Sequence, residues 1–335
     1  MANAALNGAS EANAPTKLQS NIKRFATVYL AGLLVLLVVL FQMHASEILR
    51  FFQHVWVFLP IGIFGAVIAN STGTGGGVVF VPAFNSLSGA AEMGIIPMDI
   101  SVDPVSTVGI SFLIQCFGMS VGAVSWIWRF YASDNPPAGR IDGLSFLHIV
   151  FTILLTTIPA LLLTQWAFFG SVDGSALLTA FKWFSLILGI VLLVFTWAYQ
   201  KVKPYRFRPE LTDTYWLLGL GAIGGVITAF FSVGVGELVA VYLIFRKFPT
   251  PSAIAIAVIV SVISVISGVG YHLVNGNIVW PIALMAIPGA MIGGFIARLF
   301  AVWLGPLWLK TFASVWIIAS SAFLILGPLL GVLSK

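Results

Sequence analysis

The sequence predicts an all-α polytopic membrane protein made of two inverted repeats. Each repeat is expected to be a re-entrant broken-helix hairpin followed by three transmembrane helices, with one extra N-terminal transmembrane helix. Three observations lead there: a shortage of charge, long charge-free runs, and a glycine-bearing motif that recurs one half later. The chain is 59% hydrophobic and only 8% charged, with a mean hydropathy of +1.05. A water-soluble domain carries about 25% charged residues, so this chain lacks the polar surface that water requires. No Asp, Glu, Lys or Arg occurs in 51–91, 143–171, 214–236 or 248–297. The last run is long enough for two spans, because a crossing helix needs roughly 20 apolar residues.

Taken in order, residues 1–24 are expected to be a disordered cytoplasmic tail and 25–50 an anchor helix and its loop. The first repeat occupies 51–200, a basic cytoplasmic linker 201–212, and the second repeat 213–335. Lys17, Lys23 and Arg24 before the run 25–41 resemble a signal-peptide n-region. The run is as long as a span and no A-x-A site follows, which favours a retained anchor. The lone Cys116 excludes an intramolecular disulfide, and no Cys/His spacing suggests a metal or other cofactor. The net charge of +5 comes from short loops, where basic residues orient the chain, so it is no nucleic-acid signal.

The repeat rests on Ser71, Gly73, Gly75, Val78 and Phe84, which align without gaps onto Ser232, Gly234, Gly236, Val239 and Phe245. After each motif come a Ser- and Gly-bearing helix, a helix containing Ile158-Pro159 or Ile287-Pro288, and a last apolar helix. Positive charge marks the cytoplasmic side. Lys17, Lys23 and Arg24 place the N-terminus inside, and Lys201, Lys203, Arg206 and Arg208 form the strongest inside loop. Counting spans from these anchors puts 43–50 and the acidic loop with Glu92, Asp99 and Asp103 outside together. The pair 51–88 then enters from outside, and 214–246 enters from inside, between the 201–208 loop and Arg246-Lys247. The expected total is seven full spans plus two re-entrant hairpins. Arg298 and Lys310 fall on the cytoplasmic side and the C-terminus outside, while Arg50 fits its outside position badly.

Non-helical backbone at membrane depth is tolerated only where it is buried in protein or lines a cavity, and inverted repeats bring such breaks together near the midplane. The expected substrate site is therefore the two tips, Asn70, Ser71, Thr72, Gly73, Thr74, Gly75, Gly76 and Gly77 with Ser232, Gly234, Gly236 and Glu237. Helix N-termini there offer unsatisfied N–H groups and positive dipole ends, which suit an oxyanion. Packing glycines are usually spaced by four, whereas Gly75, Gly76 and Gly77 are consecutive. Glu237 replaces Gly76 in the second copy. A carboxylate at that depth is either a proton- or cation-coupling group or a charge stabilised by the helix dipole. Gln115 and Ser264, on the helices after the hairpins, are candidates to line the same cavity; interhelical hydrogen bonds are their alternative.

The motif Gly73-Thr-Gly-Gly-Gly-Val-Val-Phe-Val-Pro82 and its degraded second copy resemble the TauE/SafE sulfite exporter family over roughly 52–331. The resemblance implies a multi-pass transporter of the bacterial inner membrane for sulfite or a small organosulfonate, working in the export direction and not an enzyme. An uptake permease for another small organic or sulfur-containing anion, or an anion channel, is the alternative. Its partners would be the small anionic substrate and membrane lipid; proton or cation coupling and homo-oligomer formation stay open. The second copy departs from the family pattern where Gly76 and Gly77 become Glu237 and Leu238, and Val81-Pro82 becomes Tyr242-Leu243.

Overall fold

In a bilayer every backbone N–H and C=O must find its partner within the protein, which for this composition means helices. The computed structural model describes residues 17–92, 102–133, 140–198 and 206–327, and every regular element in them is helical. In chain order these are α1 (Lys17–Met43), α2 (Ala45–Val55), α3 (Phe58–Thr72), α4 (Gly77–Glu92) and α5 (Pro104–Ile127). There follow α6 (Gly143–Ala167), α7 (Gly174–Ala198), α8 (Leu211–Phe231), α9 (Val235–Phe245), α10 (Thr250–Val274) and α11 (Trp280–Leu326). Residues 93–101 of the expected acidic loop, Asp99 among them, and Lys201 and Lys203 of the basic loop lie outside the described residues, while Glu92 ends α4.

Acidic residues at the helix starts accept the first amides. Asp103 Oδ1 accepts the Ser106 N–H at 2.8 Å, Asp142 accepts that of Ser145, and Asp173 Oδ2 accepts that of Ala176 at 2.9 Å. Hydrogen bonds from the Ser175 hydroxyl and the Ala176 amide hold the Asp173 carboxyl below the usual carboxylate range.

Among the described residues, seven helices are long and apolar enough to cross a membrane, including Leu211–Phe231 and Trp280–Ala297. The number agrees with the expected seven, but the membership differs. Leu211–Phe231, expected as a hairpin arm, has 21 residues and reaches span length, whereas Lys310–Leu326, expected as a full span, is shorter. The two expected helices 279–300 and 309–331 form one stretch, α11, interrupted only at Gly305 (φ 73°, ψ 157°). Residues 45–55, expected as loop up to 50, form the amphipathic helix α2. Its Ile48 and Val55 are buried while Leu49, Arg50 and Phe52 are exposed, a pattern suited to the membrane surface.

Helix α5 is the centre of the molecule and is almost wholly buried, whereas α1 is largely exposed. Helix α11 packs along α3 and also touches α5 and α7, while α6 packs along α8 and α10 lies on α5 and α6. Close backbone approach explains the first pairing. A β-carbon on Gly62 would lie 2.1 Å from the Ala286 carbonyl oxygen, and one on Gly289 would lie 2.0 Å from that of Leu59. Small residues at such contacts let helices meet through dispersion where lipid removes any hydrophobic drive.

The outer ends of α8 and α9 are joined by ions. Asp213, fully buried, accepts from Arg246 Nε at 2.6 Å, the Tyr242 hydroxyl at 2.8 Å and Arg206 at 3.3 Å. Arg206 and Arg246, read from sequence as loop charges, are thus ion-paired.

Candidate functional site

Both glycine motifs break a helix. Helix α3 ends at Thr72 with Gly73 left-handed (φ 81°), and α4 begins at Gly77. Helix α8 ends at Phe231 with Ser232 left-handed (φ 59°), Gly234 has φ 137°, and α9 begins at Val235. The left-handed cap therefore falls on Gly73 in one copy and on Ser232, the partner of Ser71, in the other. The second break is shorter and set earlier in the motif, so the tips do not superimpose residue for residue.

The tips meet and are cross-linked by two side chains. Glu237 Oε1 accepts the Gly75 N–H at 2.6 Å and Oε2 accepts the Gly234 N–H at 2.8 Å. Gln115 Oε1 accepts the Gly76 N–H at 2.7 Å, while its Nε2 donates to the Ser232 carbonyl (3.0 Å) and hydroxyl (2.7 Å). The Gly76 amide needs an acceptor, which settles the orientation of the Gln115 amide. Glycine is required for this approach. On Gly77 a β-carbon would lie 2.8 Å from the carbonyl oxygens of Phe231 and Ser232, and on Gly236 it would lie 2.7 Å from that of Gly73. Glu237 is fully buried at the start of α9, where the helix dipole favours its negative charge.

On one side of this junction lies a cavity of about 150 Å³. Thr72, Thr74 and Glu237 line it at the tips, and Ala240, Val241 and Ile244 continue along the same face of α9. Leu192, Phe195 and Thr196 of α7 and Lys310 and Ser314 of α11 form the opposite wall. On the other side, a gap lined by Gly75, Gln115, Ser232, Gly234 and Ser261 has no room for a water molecule.

The expected site residues thus divide. Thr72, Thr74 and Glu237 reach the open cavity, Gly75, Gln115, Ser232 and Gly234 lie at the closed gap, and Gly73, Gly76, Gly77 and Gly236 make the junction. Three others turn away. Asn70 donates to the carbonyls of Ala66 (2.8 Å) and Gly118 (3.2 Å), Ser71 to those of Val67 and Ile68, and Ser264 to that of Val260 (2.8 Å). The Gly75 and Gly76 amides, expected to face a ligand, are already taken by Glu237 and Gln115. Lys310, expected on the cytoplasmic side at the start of the helix 309–331, lines the cavity; its position at the edge of an apolar run was the available signal. Among the described residues no group of His, Cys, Asp and Glu could hold a metal ion.

The sequence model described as "Sulfite exporter TauE/SafE" matches residues 58–324, from the start of α3 into the last part of α11. The chain belongs to the TauE/SafE sulfite exporter family. This is a family of membrane transporters, not of enzymes, and the matched region leaves out α1 and α2. A curated relative is the "Probable membrane transporter protein YunE" of Bacillus subtilis (strain 168), 23% identical over 265 residues, which cover 71% of this chain and 85% of the relative. No solved structure matches the chain. Both broken helix pairs of this TauE/SafE protein fall within the matched region.

Proposed function

We propose that this TauE/SafE protein is a secondary transporter moving sulfite or a small organosulfonate out across the bacterial inner membrane, with the anion held beneath the two tips. The observation that carries the reading is a cavity lined by residues of both broken helix pairs, beside a gap between the same tips that has no room for a water molecule. One state of an alternating-access carrier requires such a cavity to end at a closed junction, and an open channel would need both sides connected.

The halves 51–200 and 213–335 are read as inverted repeats, each with one re-entrant pair. Reciprocal packing supports this. Each first arm, α3 or α8, lies on the Ile-Pro helix of the other half, α11 or α6. Swapping the halves maps one contact onto the other. The cavity follows α9 towards Arg246, Lys247 and Thr250, the end that basic residues assign to the cytoplasm. On that assignment the N-terminus is cytoplasmic, the C-terminus periplasmic, and the cavity opens inward, as loading for export demands.

Glu237 occupies the amides that an oxyanion would otherwise seek, so it acts as the latch between the tips. Opening towards the periplasm requires the tips to part, and a protonated Glu237 holds both amides less strongly than an ionised one, since charge-assisted hydrogen bonds are roughly twice as strong. Proton uptake at Glu237 would couple the step.

Sulfite flux in proteoliposomes tests the reading. Wild type should show saturable flux, and Thr74→Val and Glu237→Gln should each lower it by about tenfold or more, the scale of one lost charge-assisted hydrogen bond. Folded wild-type protein without sulfite flux would reject sulfite. Flux untouched by either variant would remove the anion from the tips.

A further inference from the structure

The cavity wall formed by α11 carries a charge that the tips do not explain. Lys310 stands five residues beyond the break at Gly305, in the first turn of the arm Lys310–Leu326, and Ser314 follows one turn later on the same wall. Lys310 is partly buried and takes part in none of the ion pairs found among the described residues. By contrast Arg206 and Arg246, at the nearby outer end of the α8–α9 pair, are satisfied by Asp213 and Glu210. Among the described residues lining the cavity, Lys310 is the one cation and Glu237 the one carboxylate. Both Glu237 oxygens are committed to backbone amides. A partly buried ammonium that makes no ion pair is costly, and a transient anion beside it lowers that cost.

Resting on the transporter reading above, we propose that Lys310 supplies the fixed positive charge that holds the transported anion in the cavity. Hydrogen-bond counting selects its companion across the cavity. The Thr72 hydroxyl donates to the Ile68 carbonyl at 2.7 Å, which leaves the Thr74 hydroxyl, 2.7 Å from that of Thr72, as the proton that can turn to a ligand. An ammonium with three N–H donors on one wall and one hydroxyl on the other match the oxygens of a small oxyanion. The break at Gly305 makes the placement consequential, because a hinge there moves Lys310 relative to the tips and carries the charge with the gate.

The test uses the purified full chain and two probes of nearly the same shape, methanesulfonate and the uncharged dimethyl sulfone, with sulfite as a third. Binding is read from the shift in thermal unfolding of the protein, and transport from sulfite flux in proteoliposomes. The expected result is that wild type is stabilised by both anions and not by the sulfone. Lys310→Gln should weaken binding of both anions and raise the half-saturating sulfite concentration by about tenfold or more, while Lys310→Arg stays within about threefold of wild type.

In unmutated protein, saturating methanesulfonate should also slow reductive methylation of Lys310, read by mass spectrometry, whereas dimethyl sulfone should not. This arm holds even if a variant does not fold. Folded Lys310→Gln with wild-type anion binding, or equal methylation with and without methanesulfonate, overturns the role of Lys310 and leaves the transporter reading standing. Wild type that neither binds these anions nor carries sulfite overturns both.

Discussion

Gly77 lies in a helix, where alanine would ordinarily add about 1 kcal/mol of helical preference. Here the added methyl would meet the carbonyl oxygens of Phe231 and Ser232, each 2.8 Å away, and neither backbone atom can swing aside as a side chain would. Gly77→Ala should therefore destabilise the protein by about 1–3 kcal/mol and reduce transport by separating the tips. Gly219→Ala, on a helix face with nothing within 4 Å, should be neutral or stabilising. Thermal unfolding of the two variants side by side checks the sign, and a stable, active Gly77→Ala would deny that the tips must touch. Glu237 was conspicuous in the sequence because a carboxylate in an apolar run asks for a reason. Its partner was not legible, since the Gly75 amide is 162 residues away in the chain. Gln115 could be named only as a candidate to line the cavity, because a neutral amide on an apolar helix as readily bonds to its own helix or a neighbour.

At the scale of elements, the contact of α3 with α11 rests on Gly62, Gly289 and Gly293. A β-carbon on Gly293 would lie 2.3 Å from the Ile63 carbonyl oxygen, so Gly289 and Gly293, four apart, present one bare helix face to α3. Gly289→Val should push the helices apart and cost about 3 kcal/mol or more, seen as aggregation or an early unfolding transition. A monodisperse variant with an unchanged unfolding midpoint would show that the helices can slide past the added bulk. Segment positions were readable because hydropathy and helix breaks are local. The helix α2 was missed because its mean hydropathy is diluted by Glu47 and Arg50, although its apolar side recurs at helical spacing. Arg50, misplaced as a loop charge, stands on the exposed side of α2 with its guanidinium over the Phe51 ring.

For the whole molecule, the transporter reading requires that the cavity lined by Thr72, Thr74 and Glu237 be open to one side and the gap lined by Gln115, Ser232 and Ser261 be closed to the other. In a Cys116→Ser background, Val241→Cys on the open cavity should react with a charged maleimide from the cytoplasmic side, and Ser261→Cys at the closed gap should not. Reaction of both in the absence of substrate would mean a continuous path and a channel-like protein. Reaction of Val241→Cys only from the periplasm would reverse the orientation.

Composition, charge-free runs and the recurring glycines were enough to determine a multi-pass helical protein, its family and the two places where helices break. Each of these is written in a window of about twenty residues. Only the tertiary structure decided that Glu237 and Gln115 fill the tip amides, that Ser71, Asn70 and Ser264 face away, and that Lys310 joins Thr72 and Thr74 around one cavity. Those outcomes depend on which helix faces meet, and the residues involved are brought together from opposite halves of the chain, beyond the reach of any local pattern.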